Sequence, residues 1–291
     1  MSTPGPEPVL VAEAVALEAL LSRVAAEEVV ALDTESNSFH AYFERVCLLQ
    51  LSVPGADFVV DPLAVDVRPL GPVLSSGREV VLHGADYDVR CLRREFGWNL
   101  GRIFDTMAAA RRLGAPELGL AALVRRHFGV HLSKAQQRAD WQRRPLPRDQ
   151  IRYAALDTHF LLPLHRILSG DLRERGLLDE AKKEFDRIAA AKAHVRVFDP
   201  EGWRRLRGAK ALDPEGKAAL AALWVAREEK ARSLDKPPFK VVGEDALLEI
   251  ARRRPATGAE LERIPGVTSR VRERVGEALL QAVRGAREGA S

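Results

Sequence analysis

The sequence is poor in several features that define other protein classes. It has only two cysteines in 291 residues, Cys47 and Cys91, and both stand among apolar residues. Two such thiols make neither the disulfide framework of a small secreted domain nor a zinc site. We therefore expect two buried, reduced thiols and a cytoplasmic location.

Long hydrophobic runs, internal repeats and low-complexity segments are also missing. No apolar stretch approaches the roughly 20 residues that a membrane-spanning helix needs. The N-terminal segment MSTPGPEPVL lacks the basic-then-apolar order of a signal peptide. What remains, with 46% hydrophobic and 30% charged residues, is the composition of a globular protein with no membrane partner.

The charge is unevenly distributed along the chain. Residues 200–291 contain 19 Lys/Arg and 14 Asp/Glu, whereas the first 199 residues are nearly neutral. This asymmetry is consistent with catalysis in the first segment and electrostatic capture of a polyanion in the second. A well-solvated helical domain rich in arginine would have the same charge, so both interpretations stay open.

The first 170 residues alternate strand and helix patterns. The predicted strands are Pro8–Val11, Val29–Thr34, Val46–Val53, Asp57–Val60 and Val80–His83. The predicted helices are Glu13–Ala26, Asp86–Phe96, Thr106–Leu113, Gly119–His127 and Pro147–Leu168. This alternation predicts an α/β fold with a mixed sheet and helices on its faces.

Beyond this region the signals become helical. Residues 171–199 are charged and rich in alanine and could form an exposed connecting helix, with a break near Asp199. We therefore expect a helical linker over 171–210. Asp213 followed by Pro214 is typical of a helix start. The further predicted helices are Ala218–Ser233, Gly243–Arg253, Thr257–Arg263 and Thr268–Arg284. We therefore expect an α/β domain over 1–170 and a small all-α domain over 211–287.

Acidic side chains recur at spacings that put them on one face of an element. Asp33 and Glu35 are two apart at the end of a predicted strand, and Tyr153 and Asp157 are four apart in a predicted helix. Between them, the segment from His83 to Asp88 marks the passage from a strand to a helix. Carboxylates that converge from separate elements can hold two hard divalent cations against a phosphate.

In order and separation, these motifs resemble the DEDDy family of 3′-5′ exonucleases, and most specifically ribonuclease D. The segments Leu132–Leu146, Tyr153–His165 and Phe104–Thr106 extend the resemblance. It implies a ribonuclease H-like fold, two Mg²⁺ or Mn²⁺ ions, and hydrolysis of RNA 3′ ends, such as those of tRNA precursors, to nucleoside 5′-monophosphates.

The resemblance also assigns roles to residues. It implies that Asp33, Glu35 and Asp157 hold the metal on the side of the nucleophile, and that Asp33 and Asp88 reach the second metal. Tyr153 would orient the attacking water. We further expect His83 to orient its turn, Asp86 to cap the following helix, and Asp105 to be a structural acid that caps another helix.

Candidate nucleic-acid contacts are less specific. Phe39 could stack on the terminal base or pack in the core. Lys134, Arg138 and Arg144 could contact phosphates or simply form a basic loop. The predictions for these four residues leave both alternatives open.

The C-terminal part resembles the HRDC domain, a helical module shared by RecQ-type helicases and ribonuclease D. The segments that carry this resemblance are Leu223–Ala231, Asp235–Phe239, Leu247–Ala251 and Arg254–Val267. Ribonuclease D proteins often carry two such domains, and the residues after Leu212 suffice for one. Gly266 precedes a helix with Arg270, Arg272 and Arg274, which could bind phosphate or form a solvated basic face, and Arg252–Arg254 has the same two interpretations.

Two other functions compete with an exoribonuclease. One is a 3′-5′ exodeoxyribonuclease of the same family. The other is a non-catalytic nucleic-acid-binding protein on this fold, against which the intact set of four carboxylates and Tyr153 argues. The sequence does not indicate an oligomeric state.

Overall fold

The computed structural model describes residues 7–193 and 196–288. The chain divides into two compact units, of which the first contains residues 1–37 and 45–195. The second unit contains residues 38–44 and 196–291.

The first unit is built on a six-stranded mixed sheet in the order β1-β4-β3-β2-β5-β6. The strands are β1 (Val9–Val11), β2 (Val29–Ser36), β3 (Val46–Val53), β4 (Ala56–Val60), β5 (Glu79–Leu82) and β6 (Arg102–Asp105). Strand β3 pairs antiparallel with both β2 and β4, and the other pairs are parallel. The predicted mixed sheet is confirmed, and only β6 was not predicted.

Strand β3 lies at the centre of the sheet because every one of its residues is buried. Leu49 and Leu51 belong to the main core, and Leu48 packs with Trp141 in a separate cluster. The turn into β4 passes through Gly55, whose φ of +83° favours glycine. An apolar run that is covered on both faces therefore forms the interior strand.

The described part of the first unit contains eight helices. They are α1 (Ala14–Ala25), α2 (Leu70–Ser75), α3 (Asp86–Phe96), α4 (Thr106–Arg112), α5 (Leu120–Phe128), α6 (Arg148–His159), α7 (Leu161–Glu174) and α8 (Leu178–Ala189). The prediction of one helix over Pro147–Leu168 is wrong, because α6 ends at His159 and α7 begins at Leu161. Pro163 has no N–H to donate to the carbonyl of His159, so a continuous helix would leave that carbonyl unbonded.

Helix α8 belongs to the core of the first unit. Its Ala181, Phe185 and Ala189 are buried in the main core. The ring of Phe185 lies 4.9 Å from that of Phe104 on β6. The expected exposed linker over 171–210 is therefore corrected, since its first half packs on the sheet.

The second unit is mostly helical. Its helices are α9 (Pro214–Ser233), α10 (Pro238–Val241), α11 (Glu244–Arg253), α12 (Gly258–Glu262) and α13 (Ser269–Glu288). Two short 3₁₀ turns precede them, at Gly202–Arg205 and Ala209–Ala211. The predicted start of α9 is confirmed, because the Asp213 carboxylate accepts a hydrogen bond from the Gly216 N–H at 2.7 Å.

The structure also bears on the two cysteines and on the question of a membrane-spanning helix. Cys47 and Cys91 are buried thiols that form no disulfide within the described residues, and burial raises the pKa of Cys47 to about 12. No helix within residues 7–193 and 196–288 combines the length and apolar character that crossing a bilayer requires.

Candidate active site

The last part of β2 is free along one edge. Strand β2 pairs with β5 only over Val29–Ala31, whereas its pairing with β3 continues to Ser36. Asp33 and Glu35 lie in this stretch and, because strand side chains alternate, project to the same face. The end of the shorter neighbour β5 therefore leaves space beside them for another element.

Helix α3 fills that space with Asp88. After β5 the chain turns at Gly84, which has φ +72°, and α3 begins two residues later. Asp88, in the first turn of α3, is buried and accepts a hydrogen bond from the Thr34 hydroxyl at 2.5 Å. Because Thr34 lies between Asp33 and Glu35, this bond holds Asp88 beside the acidic pair.

The turn before α3 is organised by the buried carboxylate of Asp105. This carboxylate accepts from the N–H groups of Gly84 at 3.0 Å and Ala85 at 2.9 Å. It also accepts from those of Met107 at 2.8 Å and Ala108 at 3.2 Å, at the start of α4. The predicted cap at Asp105 is confirmed, and the same side chain fixes the turn that leads to Asp88.

Two neighbouring predictions have different outcomes. Asp86 does not cap α3, because the N-cap position is Ala85 and the Asp86 carboxylate pairs with Arg90 at 2.7 Å. His83 Nδ1 lies 2.9 Å from the Thr106 hydroxyl, and burial lowers the pKa of His83 to about 4. A neutral, buried imidazole at this position supports the turn.

Helix α6 brings the third element of the site. It packs against β2, β3 and β4 and carries Tyr153 and Asp157 one turn apart. The ring of Trp141 stacks on that of Tyr153, with centroids 6.1 Å apart and planes 30° apart. Trp141 is 1% exposed, so the tyrosine is supported by a rigid neighbour to which the sequence assigned no role.

The pKa values show that these groups interact. Burial raises the pKa of Asp33, and the charges of Asp88, Asp157 and Glu35 raise it further. Burial, then Asp157 and Asp88, raises the pKa of Glu35 to about 9. Burial raises the pKa of Asp88 and of Asp157 to about 7. Burial and the charges of Asp157, Glu35 and Asp33 raise the pKa of Tyr153. The structure thus brings together all five residues.

The chemistry of this group suits a divalent cation. All four acidic side chains offer oxygen ligands, which Mg²⁺ and Mn²⁺ prefer, and a cation would relieve their mutual repulsion. Within residues 7–193 and 196–288, no three Asp, Glu, His or Cys side chains yet stand close enough together to hold one ion. Binding a metal would therefore require the carboxylates to draw closer.

Gln50 is a residue of this site that the sequence analysis missed. It lies on β3 in register with Asp33, so the two side chains share a face. It is 0% exposed, and its amide N and O atoms have no hydrogen-bond partner among the described residues. The signal was present, since Gln50 is the one amide within the apolar run Val46–Val53.

The candidate nucleic-acid residues lie outside this acidic group. Phe39 belongs to the segment 38–44 of the second unit and is 48% exposed, so the alternative of core packing is wrong. Lys134 and Arg138 are exposed on the irregular segment between α5 and α6. The side chains of Phe39, Lys134 and Arg138 are therefore exposed to solvent.

Arg144 has a structural role. Its guanidinium forms an ion pair with the buried Asp61 at 2.5 Å and donates to the carbonyl oxygens of Cys47, Trp141 and Arg143. These bonds occupy all five of its N–H donors. The alternative of a phosphate contact at Arg144 is therefore not retained.

Ion pairs also engage several arginines of the second unit. Arg252 and Arg253 pair with Glu249, and Arg254 pairs with Asp213. On α13, Arg272 pairs with Glu262 at 3.1 Å, and Arg270 and Arg274 are exposed. The structure therefore favours a solvated, internally paired surface at Arg252–Arg254.

Comparison with known proteins matches two family models to separate parts of the chain. A family model described as 3′-5′ exonuclease matches residues 8–173, which is more than half of the chain. A model of the HRDC domain matches residues 216–283.

Curated relatives match over most of the chain. The ribonuclease D of Acidiphilium cryptum is 34% identical over 270 residues, which cover 91% of this chain and 68% of that protein. The ribonuclease D of Gluconacetobacter diazotrophicus is 33% identical, with 97% of this chain and 72% of that protein covered.

Solved structures show the same fold. The catalytic core of RRP6 from Trypanosoma brucei superimposes with a TM-score of 0.90 and 30% identity, covering 100% of this chain and 82% of that one. The RNase D of Escherichia coli gives a TM-score of 0.75 and 30% identity, covering 96% and 75%. With an exonuclease domain, an HRDC domain and relatives at this level, the chain belongs to the ribonuclease D family of 3′-5′ exoribonucleases.

Proposed function

We propose that this exoribonuclease releases nucleoside 5′-monophosphates by hydrolysis that depends on two divalent cations, Mg²⁺ or Mn²⁺. The observation that carries the proposal is the convergence of four carboxylates from β2, α3 and α6, of which Asp88 is buried and the other three are half-buried. Asp33, Glu35, Asp88 and Asp157 would hold the cations. When bound, such a pair supplies a deprotonated water at neutral pH and neutralises charge on the leaving oxygen.

Side chains of the protein position the cation ligands and the attacking water. Asp33 and Glu35 are held on a strand and Asp157 on the helix packed against it, so the ligands have a rigid base. Thr34 holds Asp88 through its hydroxyl. The Tyr153 hydroxyl can donate and accept a hydrogen bond, and it would position the attacking water in line with the phosphate.

We infer that the substrates are RNA 3′ ends, including those of structured RNA such as tRNA precursors. The E. coli relative is described as an exoribonuclease involved in structured RNA processing. The excess of 19 Lys/Arg over 14 Asp/Glu in residues 200–291 supports capture of a polyanion. The two free thiols support a reducing, cytoplasmic setting.

A degradation assay on end-labelled RNA tests this proposal. With Mg²⁺ or Mn²⁺, RNA labelled at its 5′ end should give a ladder that shortens stepwise, and RNA labelled at its 3′ end should release labelled 5′-monophosphate at once. Excess chelator and the variant Asp33→Asn should both abolish the ladder. A paired DNA oligonucleotide of the same sequence measures the preference for RNA.

Three outcomes would contradict the proposal. Full activity in excess chelator would remove the cations from the mechanism. Release of 3′-monophosphates would contradict the product, and faster cleavage of DNA would favour an exodeoxyribonuclease.

A further inference from the structure

A cavity of about 460 Å³ lies within the second unit, and none of its lining residues belongs to the candidate active site. Its walls come from the segment 38–44, residues 196–199, and helices α9, α10 and α11. The volume falls in the range of small-molecule sites. Its lining includes four aromatic residues, Tyr42, Phe198, Trp224 and Phe239.

The unusual group in this cavity is the guanidinium of Arg227. Arg227 is 5% exposed, and its guanidinium lies 4.3 Å from the centroid of the Trp224 ring. None of its five N–H donors forms a hydrogen bond within the described part of the chain, and its Nε is sealed from solvent. The terminal nitrogens are not sealed from solvent, so their N–H donors are available to a ligand that enters the cavity.

The neighbouring carboxylate of Glu228 differs from Arg227 because it already has partners. Glu228 accepts from the Tyr42 hydroxyl at 2.7 Å and pairs with Arg196 at 2.9 Å. Glu244, at the start of α11, acts electrostatically on Arg227, although no described carboxylate lies within 4.0 Å of that guanidinium. The cavity therefore presents unused donors on one wall and a carboxylate acceptor on another.

This combination matches one nucleobase better than a simple anion. An arginine fork donates to the O6 and N7 acceptors of guanine, and a carboxylate can accept from the guanine N1–H and amino groups. Aromatic rings provide surfaces on which an unstacked base can lie. A free phosphate would meet Glu244 as well as Arg227, which disfavours it.

We propose that this cavity binds an unstacked guanine base of RNA. Arg227, which lies over the Trp224 ring, and Glu244 would read its two polar edges, and Phe239 would contact its face. The proposal rests on the proposed action on RNA and adds a base preference in the HRDC-containing unit. The natural occupant would be a guanosine that is splayed out of a single-stranded segment.

Calorimetric titration of the full chain with guanosine 5′-monophosphate tests the proposal directly. Excess chelator is included, so that the acidic site holds no metal. Adenosine 5′-monophosphate carries the same phosphate, and we expect it to bind at least about tenfold more weakly, since a good bidentate contact discriminates by roughly that factor. Guanosine 5′-monophosphate should also quench tryptophan fluorescence, and Trp224→Phe should reduce that quenching.

Variants separate a binding role of Arg227 from a structural one. Arg227→Met should weaken the binding of guanosine 5′-monophosphate at least about tenfold. The melting temperature of this variant should be unchanged or higher, because the substitution removes a buried charge that has no hydrogen bond. Glu244→Gln should reduce the difference in binding affinity between guanosine and adenosine 5′-monophosphate. Arg284→Met is the matched control, since Arg284 is an exposed arginine on α13 that pairs with Glu277 and does not line the cavity.

Equal affinities for the two nucleotides, or unchanged binding in Arg227→Met, would overturn the guanine site. A lower melting temperature in Arg227→Met together with unchanged binding would make Arg227 a packing residue. RNA degradation measured on the same preparations keeps the two proposals apart. An active protein that does not bind guanosine 5′-monophosphate refutes only the cavity, and an inactive one that binds it refutes only the proposed catalysis.

Discussion

Gln50 lies directly across the β2–β3 pair from Asp33, and both side chains face the candidate active site. Residues opposite each other on antiparallel strands have Cβ atoms about 4.5–5.5 Å apart. The Gln50 amide can donate and accept hydrogen bonds, yet it has no partner among the described residues. The carboxylate of Asp33 is the polar side chain paired with this position across the two strands.

Replacing Gln50 should therefore change stability and activity in opposite directions. We predict that Gln50→Leu raises the free energy of unfolding of the metal-free protein by about 1–3 kcal/mol, because it removes an unsatisfied buried amide. Turnover should fall, since the acidic group loses its neighbouring amide. Denaturant unfolding in chelator and a nuclease assay measure the two effects. A less stable variant with normal turnover would show that Gln50 only packs.

The acidic group should make the metal-free protein sensitive to alkaline pH. The pKa of Glu35 is raised from 4.5 to about 9, so its contribution to stability is present below about pH 4.5 and is lost as the pH rises through about 9. We predict that the melting temperature in chelator falls between about pH 5 and 9. Glu35→Gln should flatten this dependence, and Mg²⁺ should reduce it in the parent protein. The same slope in Glu35→Gln would place the titrating group elsewhere.

Tyr153 should affect the rate without affecting metal binding. If its hydroxyl positions the attacking water, Tyr153→Phe should lower turnover by roughly 10²–10⁴-fold, as expected for loss of a positioned proton-transfer group. The ring stays stacked on Trp141, so the fold and the calorimetric affinity for Mn²⁺ should be unchanged. Near-normal turnover in this variant would remove the tyrosine from the mechanism.

Asp105 should be essential to the turn that positions Asp88. In Asp105→Asn, the side-chain amide would face backbone N–H groups that now donate to a carboxylate. We predict a loss of about 1–3 kcal/mol in the free energy of unfolding, together with reduced turnover. The control Asp86→Asn removes only an exposed ion pair and should cost less than about 1 kcal/mol. Equal losses in the two variants would contradict this role.

The amino-acid sequence by itself determined the local elements and the residues of the site. Strand β3 and helix α3 have the predicted bounds, because an uninterrupted apolar run and a 3.6-residue pattern are both local signals. The caps at Asp105 and Asp213 were readable for the same reason. The acidic motifs indicated the family because their spacing within a strand or a helix already sets which side chains share a face.

Only the tertiary structure decided which distant residues meet. The register of β3 against β2 places Gln50 opposite Asp33, and no pattern within β3 contains that register. Asp61, 83 residues away in sequence, engages the guanidinium of Arg144 and gives it a structural role. The sequence of helix α8 predicted an exposed linker because it contains few apolar residues. In the structure the sheet buries those residues. The raised pKa values of the carboxylates also depend on the assembled fold, because burial and proximity do not follow from any single element.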